Sequence, residues 1–98
     1  MSSSLPKKIT EQIGKAGLPT AGKHAFKPRL TTNQRGEPII DKKAVAKGPK
    51  KGKRGYVDEQ NRIWVKDRSH AGLPDHWDVQ INEGEDYFRV DQNGDEVP

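Results

Sequence analysis

The sequence predicts a small α+β domain: a twisted antiparallel sheet of three to five strands, a short N-terminal helix and a long basic loop or arm. Three observations predict it. Residues 56–98 alternate apolar and polar side chains in short runs broken by turn residues, the period of half-buried strands. Leu5, Ile9 and Ile13 recur at four-residue spacing, which puts them on one face of a helix. Charge divides the chain: residues 1–55 hold 14 Lys/Arg against 3 Asp/Glu (+11), and residues 56–98 hold 4 against 11 (−7). The chain thus reads as one domain in two parts, a basic arm over 1–55 and a sheet over 56–98.

Met1–Ser4 reads as a disordered start. Residues 6–16 form a marginal helix, opened by Pro6 in its first turn and ended by Gly14 and Gly17. From Gly17 to Gly36 the breakers Pro19, Gly22, Pro28 and Gly36 predict loop, with Phe26 and Leu30 as its apolar anchors. Pro38-Ile39-Ile40 suits an edge strand. Residues 42–55 carry Lys, Gly and Pro and read as an adaptable linker whose lysines can follow a phosphodiester backbone. Tyr56-Val57 opens the sheet, Asp58–Asn61 turns, and residues 62–66 return. Loop 67–74 follows, then a strand over 76–81, an acidic turn at 82–86, a strand over 87–90, the Asp91–Gly94 turn and a last short strand. The sheet's apolar face needs a cover, for which the helix and Phe26/Leu30 are the candidates.

Composition narrows the class. Only 30% of the residues are hydrophobic and none is cysteine, so neither a disulfide nor a thiolate-bound metal supports the fold. No run reaches the length of a transmembrane helix and the N-terminus lacks a signal-peptide stretch, so any membrane crossing is expected to be carried by something else. The basic arm predicts a polyanionic partner, contacted by Lys23, Lys27, Arg29, Lys50, Lys51, Lys53 and Arg54.

The strand 76–81 carries the chemistry. Trp77, Val79 and Ile81 point to one face and His76, Asp78 and Gln80 to the other. If the apolar residues of the other strands share the first face, the second collects Arg62, Trp64, Lys66, Tyr87 and Arg89 beside them. The set suits cleavage of an RNA phosphodiester, which needs a base for the 2′-hydroxyl, an acid for the leaving oxygen and cations for the charge that builds on phosphorus. His76 carries protons; Asp78 orients it or acts as base; Lys66, Arg89 and Arg62 hold phosphate; Trp64 and Tyr87 stack bases, and Gln80 contacts the nucleic acid. His70 competes with His76. No metal or other cofactor is required by this scheme. Three alternatives stand beside it: a half-buried strand with a solvated polar face, a non-catalytic nucleic-acid-binding protein, and a metal-dependent DNase built on His70, His76 and Asp78.

The runs Gly55-Tyr56-Val57-Asp58, Ile63-Trp64-Val65-Lys66-Asp67, Ser69-His70-Ala71-Gly72, His76-Trp77-Asp78-Val79-Gln80 and Tyr87-Phe88-Arg89-Val90, with the Asn93-Gly94 turn, resemble the C-terminal toxin domains of bacterial polymorphic toxins of the contact-dependent inhibition and Rhs type. A Lys/Gly/Pro lead into a small sheet is also similar to the ribosome-cleaving ribonuclease domains of cloacin and its colicin relatives, with Arg62-Ile63-Trp64 where those have a catalytic arginine strand. The closely spaced Asp, His and Glu of those ribonucleases have no clean match in His24, Lys27 and Glu37. The resemblance implies a metal-independent endoribonuclease that cuts rRNA or tRNA in competing bacteria. It further implies a monomer delivered as part of a larger secreted toxin into the target cytoplasm and blocked by a cognate immunity protein.

Overall fold

The computed structural model describes residues 5–67 and 76–97. Helix α1 (Lys7–Ala16) leads into a two-stranded sheet of β1 (Leu30–Thr32) and β2 (Pro38–Ile40). A six-stranded antiparallel meander then runs in chain order: β3 (Lys42–Ala44), β4 (Arg54–Val57), β5 (Ile63–Asp67), β6 (His76–Ile81), β7 (Asp86–Asp91) and β8 (Glu96–Val97). The α+β class and the antiparallel sheet are as the sequence predicts, with more strands than expected. Among the described residues no helix is long and apolar enough to cross a membrane.

The helix forms where the spacing places it, and its apolar stripe decides how it docks. Ile9 and Ile13 are buried on the sheet, whereas Leu5, outside the helix, is 40% exposed. Gly17 stops it in the left-handed conformation (φ 76°), and the Leu18 N–H closes back on Ile13 O at 3.1 Å. The indole of Trp77 donates to Gly17 O at 3.2 Å, pinning the helix end to β6. Phe26 joins this core as expected; Leu30 stays 40% exposed on the outer two-stranded sheet.

The strand register differs from the expectation in one consequential way. Trp64 pairs with Val79 and Lys66 with Trp77, so Trp64 faces the helix. Ile63 and Val65 pair with Gln80 and Asp78 and take the opposite face. Both faces of β5 are therefore apolar, and alternation alone does not orient it. The second face is buried because the lysine-rich segment is no linker. Val45 N donates to Lys53 O (2.8 Å) and Gly52 N to Val45 O (2.9 Å), closing residues 42–57 into the β3–β4 hairpin. Its loop lies over the second face, where Val45, Val57, Ile63 and Val65 make a small separate core.

The hairpin loop is held at its far side by the turn Asn82–Gly84. Lys47 N donates to Glu83 O at 2.9 Å, and the Lys47 ammonium reaches Glu83 (3.2 Å) and Glu85 (3.4 Å). Hydrogen bonding to Glu83, then to Glu85, raises that ammonium above its ordinary pKa. Gly84 (φ 111°) lets the two segments touch: a Cβ there would overlap Lys47 O and Val45 Cγ1. Gly84→Ala is therefore expected to cost about 1–3 kcal/mol, read as a lower urea midpoint at an unchanged slope.

Candidate active site

Folding the hairpin over the sheet brings Lys50 onto β5 and β6. Asp67 and His76 are cross-strand partners that close the β5–β6 pairing, and Asp78 pairs with Val65 on one side and Arg89 on the other. Lys50, Asp67, His76, Asp78 and Arg89 meet. His76 Nε2 lies 3.1 Å from Asp67 Oδ2 and 3.7 Å from Asp78 Oδ1. Lys50 Nζ lies 3.3 Å from Asp78 Oδ2 and 3.8 Å from Asp67 Oδ2, and Arg89 Nε is 3.7 Å from Asp78 Oδ1.

Burial grades across the cluster. The Asp78 side chain is 2% exposed, His76 11%, Asp67 24%, Lys50 28% and Arg89 44%. Asp78 is the floor, and the two cations with Asp67 form the rim. A buried carboxylate is costly without partners; here Lys50 and Arg89 approach from the hairpin and β7. Even so, Asp78 Oδ1 and His76 Nε2 are buried with no hydrogen-bond partner among the described residues, and the 3.1 Å approach of His76 Nε2 to Asp67 is an ion-pair contact. Unpaired buried atoms on an acid and an imidazole call for a catalytic role or for a bound water or ion. The ligating atoms of Asp67, His76 and Asp78 also lie within 4.8 Å of one another, so these three side chains can converge on one divalent cation.

Of the expected catalytic residues, the fold brings together His76, Asp78 and Arg89. Arg62 and Lys66 are elsewhere. Arg62 sits at the opposite end of β5, its Nε donating to Asp58 Oδ2 at 2.7 Å. Lys66 is on the helix side, 5.9 Å from the Trp77 ring. Trp64 is fully buried and donates to Asp58, so it stacks no base. All three corrections follow from the register of β5. His70 lies outside the described residues. Gln80 is buried beside Asp78, and Tyr87, its cross-strand partner, is 42% exposed on the same face.

Lys51, Lys53 and Arg54 stand exposed on the hairpin. Lys23 and Lys27 line a polar cleft of about 370 Å³ with His24, Asp58 and Arg62 on the helix side, and Arg29 lies 3.7 Å from Asp41. A larger groove of about 570 Å³ runs along Tyr56 between Lys15, Lys42 and Arg54, with Lys42 5.1 Å over the Tyr56 ring. Sequence reasoning missed Asp67 as a site residue and placed Lys50 only in the arm. The signal for Asp67 was its place at the end of one expected strand, opposite the start of the strand that carries His76; Lys50 had none short of the hairpin fold. No protein-family model, curated protein or solved structure matches this chain.

Proposed function

We propose that the chain is a metal-independent endoribonuclease of the bacterial toxin class, and that His76, Asp67, Asp78, Lys50 and Arg89 are its catalytic centre. The observation that carries this reading is the orphaned His76 imidazole between two carboxylates, themselves approached by two cations. In this scheme the RNA phosphate docks on Arg89 and Lys50 at the rim. His76 accepts the 2′-hydroxyl proton as the 2′-oxygen attacks phosphorus. The bond to the 5′-oxygen breaks, that oxygen leaves with a proton from solvent, and the products are a 2′,3′-cyclic phosphate and a 5′-hydroxyl. Asp67, 3.1 Å from Nε2, stabilises the imidazolium that forms, and Asp78 fixes both cations where charge develops on the phosphoryl oxygens. The exposed hairpin lysines draw the polyanion in, and an acidic immunity protein would cover the same surface. Delivery within a larger secreted toxin, rRNA or tRNA as target, and monomeric action belong to the same proposal.

Lys50 and Arg89 already supply the positive charge that a metal would bring to these carboxylates, which favours the metal-free scheme. A second reading rests on the convergence of Asp67, His76 and Asp78, which suits a divalent-ion nuclease. Incubating the protein with total bacterial RNA and with plasmid DNA, each with and without EDTA, separates the two. Discrete RNA fragments ending in cyclic phosphate and unaffected by EDTA are expected. Activity lost in EDTA and restored by Mn²⁺ or Mg²⁺ would replace the scheme by the metal-dependent one. Salt-sensitive binding without cutting would leave a nucleic-acid-binding protein.

A further inference from the structure

The helix side of the sheet carries basic surface that the cleavage scheme does not use. The groove of about 570 Å³ is lined by Lys15, Lys42 and Arg54 around Tyr56. At Arg54 and Tyr56 it runs into a second recess of about 310 Å³, which Lys66 and Trp77 complete. Lys15, Lys42, Arg54 and Lys66 are exposed, and none of them is ion-paired among the described residues. Asp41, the carboxylate in this lining, lies 3.7 Å from Arg29, which offsets its charge. Cations gathered in one concavity repel one another, and a bound polyanion relieves that repulsion. Lys42 is on β3, Arg54 on β4 and Lys66 on β5, three adjacent strands that span roughly 10 Å at the usual strand spacing. Their side chains thus make a row that a chain of phosphates can follow.

The register sets this row beside the catalytic centre, on the other face of the same end of the sheet. Ala44 and Arg54 pair at the loop end of the β3–β4 hairpin, and Asp67 and His76 pair at the matching end of β5 and β6. Lys66 and Asp67 are consecutive, so their side chains take opposite faces: Lys66 lies by the Trp77 ring and Asp67 by His76. From Arg54 the hairpin loop passes to the second face, where Lys50 reaches Asp78 at 3.3 Å, with exposed Lys51 and Lys53 between. A basic path therefore joins groove and centre.

We propose that the groove is a second RNA site, which holds the single-stranded RNA flanking the phosphodiester cut on the opposite face. Lys42, Arg54 and Lys66 hold its phosphates. Half-buried Tyr56, where the two recesses meet, offers aromatic surface to a base; an acidic peptide has no ring to place there. The link to cleavage rests on the ribonuclease reading, and binding rests on the groove alone.

The test uses the full chain carrying His76→Ala, titrated with a labelled single-stranded RNA of about 12 nucleotides at several salt concentrations. Lys42→Gln, Arg54→Gln and Lys66→Gln together are expected to weaken binding about 10–100-fold and to lower the log–log salt slope by about 2, at roughly 0.7 per lost phosphate contact. Lys7→Gln, Lys23→Gln and Arg35→Gln together remove the same charge from exposed positions outside the groove, and are expected to weaken it less than about threefold. The charge-keeping set Lys42→Arg, Arg54→Lys and Lys66→Arg is expected to bind like the parent. Parental affinity in the first set, an equal loss in the second, or a loss in the charge-keeping set as large as in the first would overturn the groove as an RNA site. So would displacement of the RNA by an oligoglutamate peptide at matched charge, which would make the groove a site for an acidic protein. Cleavage by the wild-type chain separates the two proposals. Groove-dependent binding without any cleavage sinks the ribonuclease and keeps the RNA site; cleavage with groove-independent binding does the reverse.

Discussion

Replacing His76 by Ala is expected to abolish RNA cleavage, with a loss of about 10²–10⁴-fold, while RNA binding and the fold persist. The size of the loss follows from the site: His76 is the one described imidazole in the cluster, so no neighbour takes over its proton. Binding persists because the hairpin lysines and Arg89 do not depend on it. The fold persists because the His76 side chain belongs to neither hydrophobic core. Asp67→Asn keeps the shape of the side chain without its charge and is expected to lower kcat less, with little change in KM. The assay is single-turnover cleavage of a labelled RNA, with retention on a filter as the binding readout. A His76→Ala protein that still cuts at the wild-type rate would move the active centre to His70 or to the other described imidazole. That is His24, in the cleft shared with Lys23, Lys27 and Arg62.

How far the sequence alone reaches can be judged from β5 and β6. The strand Trp77-Asp78-Val79-Gln80 alternates two apolar side chains with two polar ones, so its faces were assignable, and His76, Asp78 and Gln80 do share a face. Ile63-Trp64-Val65 is apolar throughout, and such a run carries no orientation of its own. Its register depends on which face receives a cover, and the cover for the second face is the hairpin loop around Val45. Nothing local marks Lys42–Arg54 as a hairpin: Gly48, Pro49 and Gly52 announce a turn, but flexible linkers have the same composition. The decision lies in long-range contacts, the Lys47–Glu83 backbone bond and the seating of Gly48 against Gly84. Lys50 enters the site through the same contacts, which is why charge counting placed it in an arm, whereas Asp67 enters through its cross-strand pairing with His76. The helix and the turns were legible because their signals are local: Ile9/Ile13 spacing, Gly17, and the Asp91–Gly94 turn.

Replacing Asp58 by Ala is expected to destabilise the fold by about 3–5 kcal/mol, the range for stripping one partner from a buried charge network. Its carboxylate is 1% exposed and gathers four donors. Oδ1 accepts from Gln60 N (3.0 Å) and Arg62 N (2.9 Å), and Oδ2 accepts from Arg62 Nε (2.7 Å) and Trp64 Nε1 (2.9 Å). Alanine strands a guanidinium and a core indole together. Against a typical total of about 5–15 kcal/mol the loss is a large share, and chemical denaturation should show it as a midpoint shift at constant slope. Asp58→Asn keeps one acceptor and should fall between. The same network decides what Arg62 does. Resemblance to the cloacin ribonucleases places a catalytic arginine on this strand, but Arg62 is five residues along β5 from Asp67, roughly 16 Å, and holds the turn. Arg62→Ala is therefore expected to lower stability and leave kcat at low temperature near wild type. A folded Arg62→Ala protein with no cleavage would show instead that the helix-side cleft, and not the His76 cluster, holds the phosphate.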